Sequence, residues 1–131
     1  MLIGYRDKGL AMDWEREGKS EMAITSIWPA TAIQSAATQN LGQENANELR
    51  KPTIYSDAIL AMLKAPTSQV NGKLELDEDF LRKTGLKDFD KYSVVPGATP
   101  RRIMPAEFPD LTVAEQADEG RRMDSTLRSK M

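Results

Sequence analysis

The side chains of this sequence that can do acid–base or nucleophilic chemistry are carboxylates, hydroxyls, lysines and tyrosines, because the chain has no cysteine and no histidine. That composition excludes disulfides, thiol nucleophiles, Ser-His-Asp triads and zinc sites built from cysteine or histidine. The densest acidic run is Asp77-Glu78-Asp79, but a calcium loop needs a central glycine and Arg82 occupies that sixth position. We therefore predict no metal site and interpret the run as the acidic first turn of a helix.

Length and composition then bound the kind of protein. The 131 residues suffice for one domain, and 40% hydrophobic with 29% charged residues is typical of a soluble globular protein. The net charge is -2 and the basic pair Arg101-Arg102 lacks interleaved aromatic residues, so we expect no nucleic-acid partner. No stretch approaches the roughly 20 apolar residues that a membrane helix needs, so we expect no membrane association.

The elements that would position these side chains are predicted from periodicity. A helix is predicted over residues 9–17, as the last two turns of a helix whose beginning is missing. Residues 22–27 form an apolar run typical of a strand buried on both faces, which Pro29 ends. Residues 30–41 are predicted as a loop followed by weakly helical sequence, and residues 42–51 as a surface loop or ragged helix.

The strongest predicted helix is Thr53–Lys64, followed by a short strand over Lys73–Leu76. One face of the helix carries the residues Ile54, Ala58, Ala61 and Met62. The apolar residues Ile59, Leu60 and Leu63 widen this face, which predicts packing on a sheet. A strand, a helix and a second strand form a crossover unit with parallel strands. Two strands cannot bury both faces of a parallel sheet, so either a partner chain supplies the rest or the chain is a piece of something longer.

Blocks of residues over about two thirds of the chain share the order and spacing of a known family. The most specific block is Trp28-Pro29 with the following Ile33 and Ala36-Ala37. The other blocks are Lys8-Gly9-Leu10-Ala11, Lys51-Pro52, Tyr55-Ser56-Asp57-Ala58, Gly72-Lys73, Asp77-Glu78, Thr84-Gly85 and Asp88-Phe89. In these blocks residues 8–96 resemble the carboxy-terminal part of a short-chain dehydrogenase/reductase. More narrowly, they resemble the hydroxysteroid-dehydrogenase-like subgroup often found in peroxisomes.

The resemblance implies an α/β fold: the C-terminal fragment of a doubly wound parallel, Rossmann-like sheet. The prolines at 100, 105 and 109 prevent a long helix, so a mostly irregular tail is predicted over residues 97–131. The resemblance also implies hydride transfer between a carbonyl or alcohol and NAD or NADP. The family's glycine-rich phosphate loop is missing, since the eight glycines are never two positions apart. Its Tyr and Lys, four apart, are missing too, because Tyr5 has Lys8 three residues on and residues 1–7 match nothing.

By resemblance, the loop after the first strand covers the nicotinamide of the cofactor. The backbone of Ile33 would bind the carboxamide and the Ser35 hydroxyl would assist. Pro29 would shape the turn, and Thr31 is a weaker candidate. Two structural readings stay open, namely that Ile33 is plain core and that Ser35 is an ordinary helix cap. NADP or NAD is expected if a missing half completes the site, and no cofactor is expected for the isolated chain.

The chain ends in Ser129-Lys130-Met131, which is similar to the Ser-Lys-Leu peroxisomal address. Because three residues carry little information, chance remains an alternative. We expect a peroxisomal location, with an import receptor as a partner, and otherwise a cytoplasmic one.

Two hypotheses for function follow. In the first, the chain is part of a short-chain dehydrogenase/reductase, truncated and inactive alone, which needs a complementary dehydrogenase subunit. In the second, it is a non-catalytic remnant that docks on a full-length peroxisomal relative. The sequence leaves open whether the chain is an enzyme, and it does not identify a substrate.

Overall fold

The computed structural model describes residues 2–41 and 43–107, which combine helices with parallel strands. The helices are α1 (Leu2–Arg16), α2 (Thr53–Lys64), α3 (Thr67–Val70) and α4 (Asp77–Lys83). The strands are β1 (Thr25–Trp28), β2 (Ala32–Ile33), β3 (Leu49–Arg50) and β4 (Lys73–Leu76). Short 3-10 helices cover Ala36–Leu41, Gln43–Glu48 and Asp90–Tyr92.

Strands β1 and β4 pair in parallel, with Trp28 opposite Leu76 at the carboxyl end of the ladder. The pairing confirms the predicted crossover, in which α2 returns the chain across one face. Strand β1 begins later than the predicted run, because the Ile24 amide donates to the Asn71 side chain at 3.1 Å. Strand β4 has the predicted bounds.

Helix α1 begins at Leu2, well before the start predicted at Gly9. Tertiary contacts support this extension, which periodicity alone does not reveal: the Ser26 hydroxyl of β1 donates to the Asp7 carboxylate. The close approach of α1 to the turn before β4 also requires a glycine. A Cβ added at Gly72, where φ is +65°, would lie 2.9 Å from the Cβ of Ala11.

Helix α2 has the predicted bounds, and its buried face carries Ile54, Ala58 and Met62. Ile54 and Ala58 pack with Leu81, Phe89 and Tyr92 in the main core. The prediction that the wider apolar stripe is buried is wrong, since Leu63 is 79% exposed and Ile59 and Leu60 are also exposed. A helix that packs chiefly against the short α4 buries only the stripe that contacts it.

The stretch between β1 and α2 is more ordered than predicted. Strands β2 and β3 pair in parallel, with Ile33 opposite Arg50. Two-residue strands are too short for alternation to show in the sequence. Leu49 and Arg50 are buried, so the prediction of a surface loop fails at its carboxyl end.

The acidic run does begin a helix, as predicted, because Asp77, Glu78 and Asp79 form the first turn of α4. Phe80 and Leu81 of the same helix are buried. Within the described residues, no helix is both long and apolar enough to cross a membrane. The terminal residues Ser129, Lys130 and Met131 lie outside the described part of the chain.

Candidate functional site

The loop after β1 lies at the edge of the sheet where both parallel strands end. It starts at Pro29 and leads through β2 to Ser35, while Asp77 directly follows β4. Asp77 is 1% exposed, and its Oδ1 atom accepts hydrogen bonds from the backbone N–H groups of Ala30 at 2.8 Å and Glu78 at 2.6 Å. One carboxylate therefore fixes the start of the loop to the start of α4.

The electrostatics of Asp77 follow from its position. Burial raises the pKa of its carboxyl group, the two backbone N–H donors lower it, and the neighbouring acids Glu78 and Asp79 raise it further. Its Oδ2 atom is buried and has no hydrogen-bond partner among the described residues. The pKa of Tyr55 is also raised, first by burial and then by the charge of Asp77, while its hydroxyl donates to the Ile27 carbonyl at 2.8 Å.

Ile33 lies on β2, which pairs with no strand other than β3 within residues 2–41 and 43–107. The Gln34 amide donates to the Arg50 carbonyl of β3 at 2.8 Å. In a parallel ladder, successive amides point to opposite sides, so the amide of Ile33 points away from β3. The Ile33 carbonyl accepts a hydrogen bond from the Thr38 hydroxyl at 3.2 Å. This carbonyl retains a second lone pair for another donor.

Ser35 is exposed, and its backbone is tied down by the Thr38 hydroxyl, to which the Ser35 amide donates at 2.7 Å. The Thr38 hydroxyl also donates to the Ser35 carbonyl at 3.0 Å, so this side chain closes the turn that begins at Ser35. Pro29 is half-buried at the exit of β1. Thr31 is 4% exposed and pairs through an antiparallel bridge with Arg102.

The four residues predicted for cofactor binding therefore lie on one loop but differ in access. Ile33 and Ser35 offer an outward amide and an exposed hydroxyl, which suit the polar carboxamide of a nicotinamide. Thr31 is covered in this conformation, so its side chain does not fit that role without movement of the covering segment. The roles of all four residues stay predictions.

A buried ionic cluster behind the loop was missed by sequence reasoning. Arg50 is 4% exposed and donates to the Ser93 hydroxyl at 2.7 Å and to the Phe89 carbonyl at 3.0 Å. It also lies 3.4 Å from the buried Glu78 carboxylate, which Arg82 approaches at 2.6 Å. The cluster ties β3 to α4, and so holds β2 and its loop in place.

Asp77 belongs to the acidic run and to a block of the family resemblance, but nothing in the sequence indicates that its side chain, or that of Arg50, is buried. Charged residues are mostly exposed, so a charged residue is predicted to lie on the surface when the local sequence shows no ion-pair partner for it. The Ala30 amide lies 47 positions from Asp77 in the chain, and Glu78 lies 28 positions from Arg50. Only the fold brings these groups together.

Comparison with known proteins gives sequence and structural relatives, although no protein-family profile matches the chain. A hydroxysteroid dehydrogenase-like protein 2 of Danio rerio is 46% identical over 82 residues, which are 62% of this chain and 20% of that protein. A short chain dehydrogenase of Mycobacterium thermoresistibile has a TM-score of 0.58 and 34% identity, covering 70% of this chain and 33% of that chain. A Xanthomonas campestris protein described as a dehydrogenase has a TM-score of 0.55 and 27% identity, covering 82% of this chain and 38% of that one.

The chain thus resembles part of a short-chain dehydrogenase, in both sequence and parallel α/β fold, which confirms the predicted fold class and resemblance. The narrower resemblance is to hydroxysteroid dehydrogenase-like protein 2, which the Danio rerio relative bears out. The matched part spans about a fifth of the length of that relative.

Proposed function

We propose that this chain supplies the nicotinamide-side loop of a short-chain dehydrogenase, which transfers hydride between a carbonyl or alcohol and NAD or NADP. The observation that carries the proposal is the Asp77 carboxylate, which fixes the loop at the carboxyl edge of two parallel strands. In open α/β sheets, ligands bind in the crevice outside this edge. The sequence and fold resemblance supports the same class of function.

The loop residues have separate roles in the proposed site. The Ile33 amide, and its carbonyl, would hold the carboxamide, and the exposed Ser35 hydroxyl would add a hydrogen bond. Pro29 sets the direction in which the loop leaves β1, and Thr31 supports the loop from within. The nicotinamide ring, when bound, supplies the hydride chemistry, while these residues orient it.

Catalysis also needs groups that this sequence does not contain. It has no Gly-x-Gly for a pyrophosphate and no tyrosine with a lysine four positions on. We propose that these come from a further part of the dinucleotide fold, either on the same polypeptide or on a complementary dehydrogenase subunit. The 131 residues alone are then expected to show no turnover.

A chimera tests the proposed role of the loop. Residues 8–107 would replace the matching segment of the Danio rerio relative, and NADH and NADPH binding would be measured by nicotinamide fluorescence. We expect binding of one of them, with an affinity about 5-fold lower for Ser35→Ala, as the loss of one hydrogen bond implies. Ser56→Ala, on the exposed side of α2, is the matched control and should change nothing. A folded chimera that binds neither dinucleotide would contradict the proposal.

A non-catalytic docking role is the second candidate, because Ile59, Leu60 and Leu63 leave an exposed apolar patch on α2. Leu63→Lys should then abolish co-purification with a full-length relative, whereas Lys64→Gln beside it should not. Equal recovery of both variants would count against docking through this helix.

A peroxisomal location is proposed from the last three residues, Ser129-Lys130-Met131, read by an import receptor. A fluorescent protein fused ahead of the chain, which leaves this end free, should collect in peroxisomes. Removing the three residues should return it to the cytoplasm. A diffuse signal from both fusions would refute the address.

A further inference from the structure

A segment that follows residues 8–96, which carry the sequence resemblance, crosses the candidate loop. We refer to residues 101–105 as the strap. The Ile103 amide donates to the Ala30 carbonyl at 2.9 Å, and Arg102 forms an antiparallel bridge with Thr31. The Ala30 amide therefore donates to the buried Asp77, and the Ala30 carbonyl accepts from the strap.

The strap is fastened to α4 by one side chain. Arg102 donates from two nitrogens to the Asp79 carboxylate, at 2.9 Å to Oδ1 and 2.5 Å to Oδ2. Its Nε atom also donates to the Met104 carbonyl at 3.1 Å. A planar guanidinium can make these bonds together, which a lysine ammonium cannot reproduce.

The neighbouring Arg101 makes a natural comparison. Its backbone N–H donates to the Glu48 carboxylate at 2.8 Å, and no hydrogen bond or ion pair of its side chain is found among the described residues. The two arginines thus have the same charge and are neighbours in the chain, but only the side chain of Arg102 joins the strap to α4.

We infer that Arg102 is a positioning residue for the nicotinamide-side loop, an inference that rests on the proposed function for its role in cofactor binding. By holding the strap over Ala30 and Thr31, it leaves Ile33 and Ser35 as the part of the loop open to a ligand. Loosening Arg102 uncovers Thr31 and frees the loop carbonyl at Ala30. The site then depends on residues beyond the parallel strands that form its base.

Amide hydrogen exchange on the full 131-residue chain tests this positioning. In Arg102→Ala and Asp79→Asn, we expect the Ile103 amide to exchange about 10-fold faster, as the loss of a charge-assisted pair implies. The Met62 amide in α2 should be unchanged, which separates local release from global destabilisation. Arg101→Ala should leave both amides at the rates of the unaltered chain.

Cofactor binding by the chimera gives the second readout. Arg102→Ala should weaken dinucleotide binding about 5-fold, and Arg101→Ala should not. Unchanged exchange at Ile103, or faster exchange with unchanged affinity, would overturn the inference. If exchange accelerates as expected but the unaltered chimera binds no dinucleotide, the proposed function fails and the positioning of the loop by Arg102 is supported.

Discussion

The carboxylate of Asp77 carries a prediction that tests the central geometry of the site. Replacing it by alanine leaves the buried N–H groups of Ala30 and Glu78 without their acceptor. An orphaned buried donor costs about 1–3 kcal/mol, or about 4 kcal/mol for two. Removing a buried carboxylate from beside other acids stabilises the folded chain by about 1 kcal/mol, which offsets part of this cost. We therefore expect Asp77→Ala to lower the free energy of unfolding by about 3 kcal/mol.

The matched variant is Asp77→Asn, which keeps an oxygen at the Oδ1 position and should cost less than about 1 kcal/mol. Urea and thermal unfolding, followed by circular dichroism, would measure both, with a melting point about 10 °C lower for alanine. Equal stability of the alanine variant and the unaltered chain would refute the reasoning, as would equal damage from both substitutions.

The same carboxyl group fixes the sign of one pH effect. Because the pKa of Asp77 is raised above its usual 3.8 in the folded chain, the folded state holds the proton more tightly than the unfolded state. Its contribution to stability is therefore complete below pH 3.8 and decreases as the pH rises through the raised pKa. Asp77→Asn should remove this component from a plot of unfolding free energy against pH.

Three further outcomes are expected, each measured by urea unfolding. Ile54→Ala, at a fully buried position, should cost about 3 kcal/mol, whereas Leu63→Ala, at a position 79% exposed, should cost less than about 0.5 kcal/mol. Arg50→Ala should cost about 3–5 kcal/mol, because it strips the buried Glu78 of a partner. The hydrogen bonds that Arg102 donates to Asp79 hold the pKa of this carboxyl below its usual 3.8. The pair of Arg102 and Asp79 should therefore stabilise the chain above pH 3.8 and lose its effect as the pH falls through the lowered pKa. Asp79→Asn should abolish that acid-side loss.

The parts of the fold that the sequence predicts well are those decided by local pattern. Helix α2 combines a proline at its start with a regular apolar face, and β4 alternates charged and apolar residues directly after the turn at Gly72, so both have the predicted bounds. The burial of Leu49 and Arg50 could not be predicted in this way. Arg50 contacts Glu78 and Phe89, and the Leu49 carbonyl accepts from the Val94 amide, all far along the chain, whereas the local sequence is polar.

The candidate site shows the same division. The Trp28-Pro29 loop is recognisable because its spacing matches a known family. The sequence does not predict the strap, since its contacts include backbone bonds to Ala30, a backbone bond to Glu48 and the ion pair to Asp79, none of which leaves a periodic pattern. The sequence pattern therefore predicts which loop belongs to the candidate site, whereas long-range contacts determine which residues of that loop are accessible to a ligand.

The register of the parallel pair explains why so few elements suffice to place the loop. Trp28 and Leu76 are partners at the end of the ladder, so Asp77 stands one residue beyond β4 and Ala30 two residues beyond β1. A slip of one residue would turn the Asp77 side chain to the opposite face of the sheet and remove the acceptor from the Ala30 amide. Any larger sheet that includes this chain must therefore preserve the pairing of β1 with β4. Among the described residues β1 pairs only with β4, so strands added at its other edge would extend the crevice without moving the loop, and this strand pair is the fixed reference for the rest of the site.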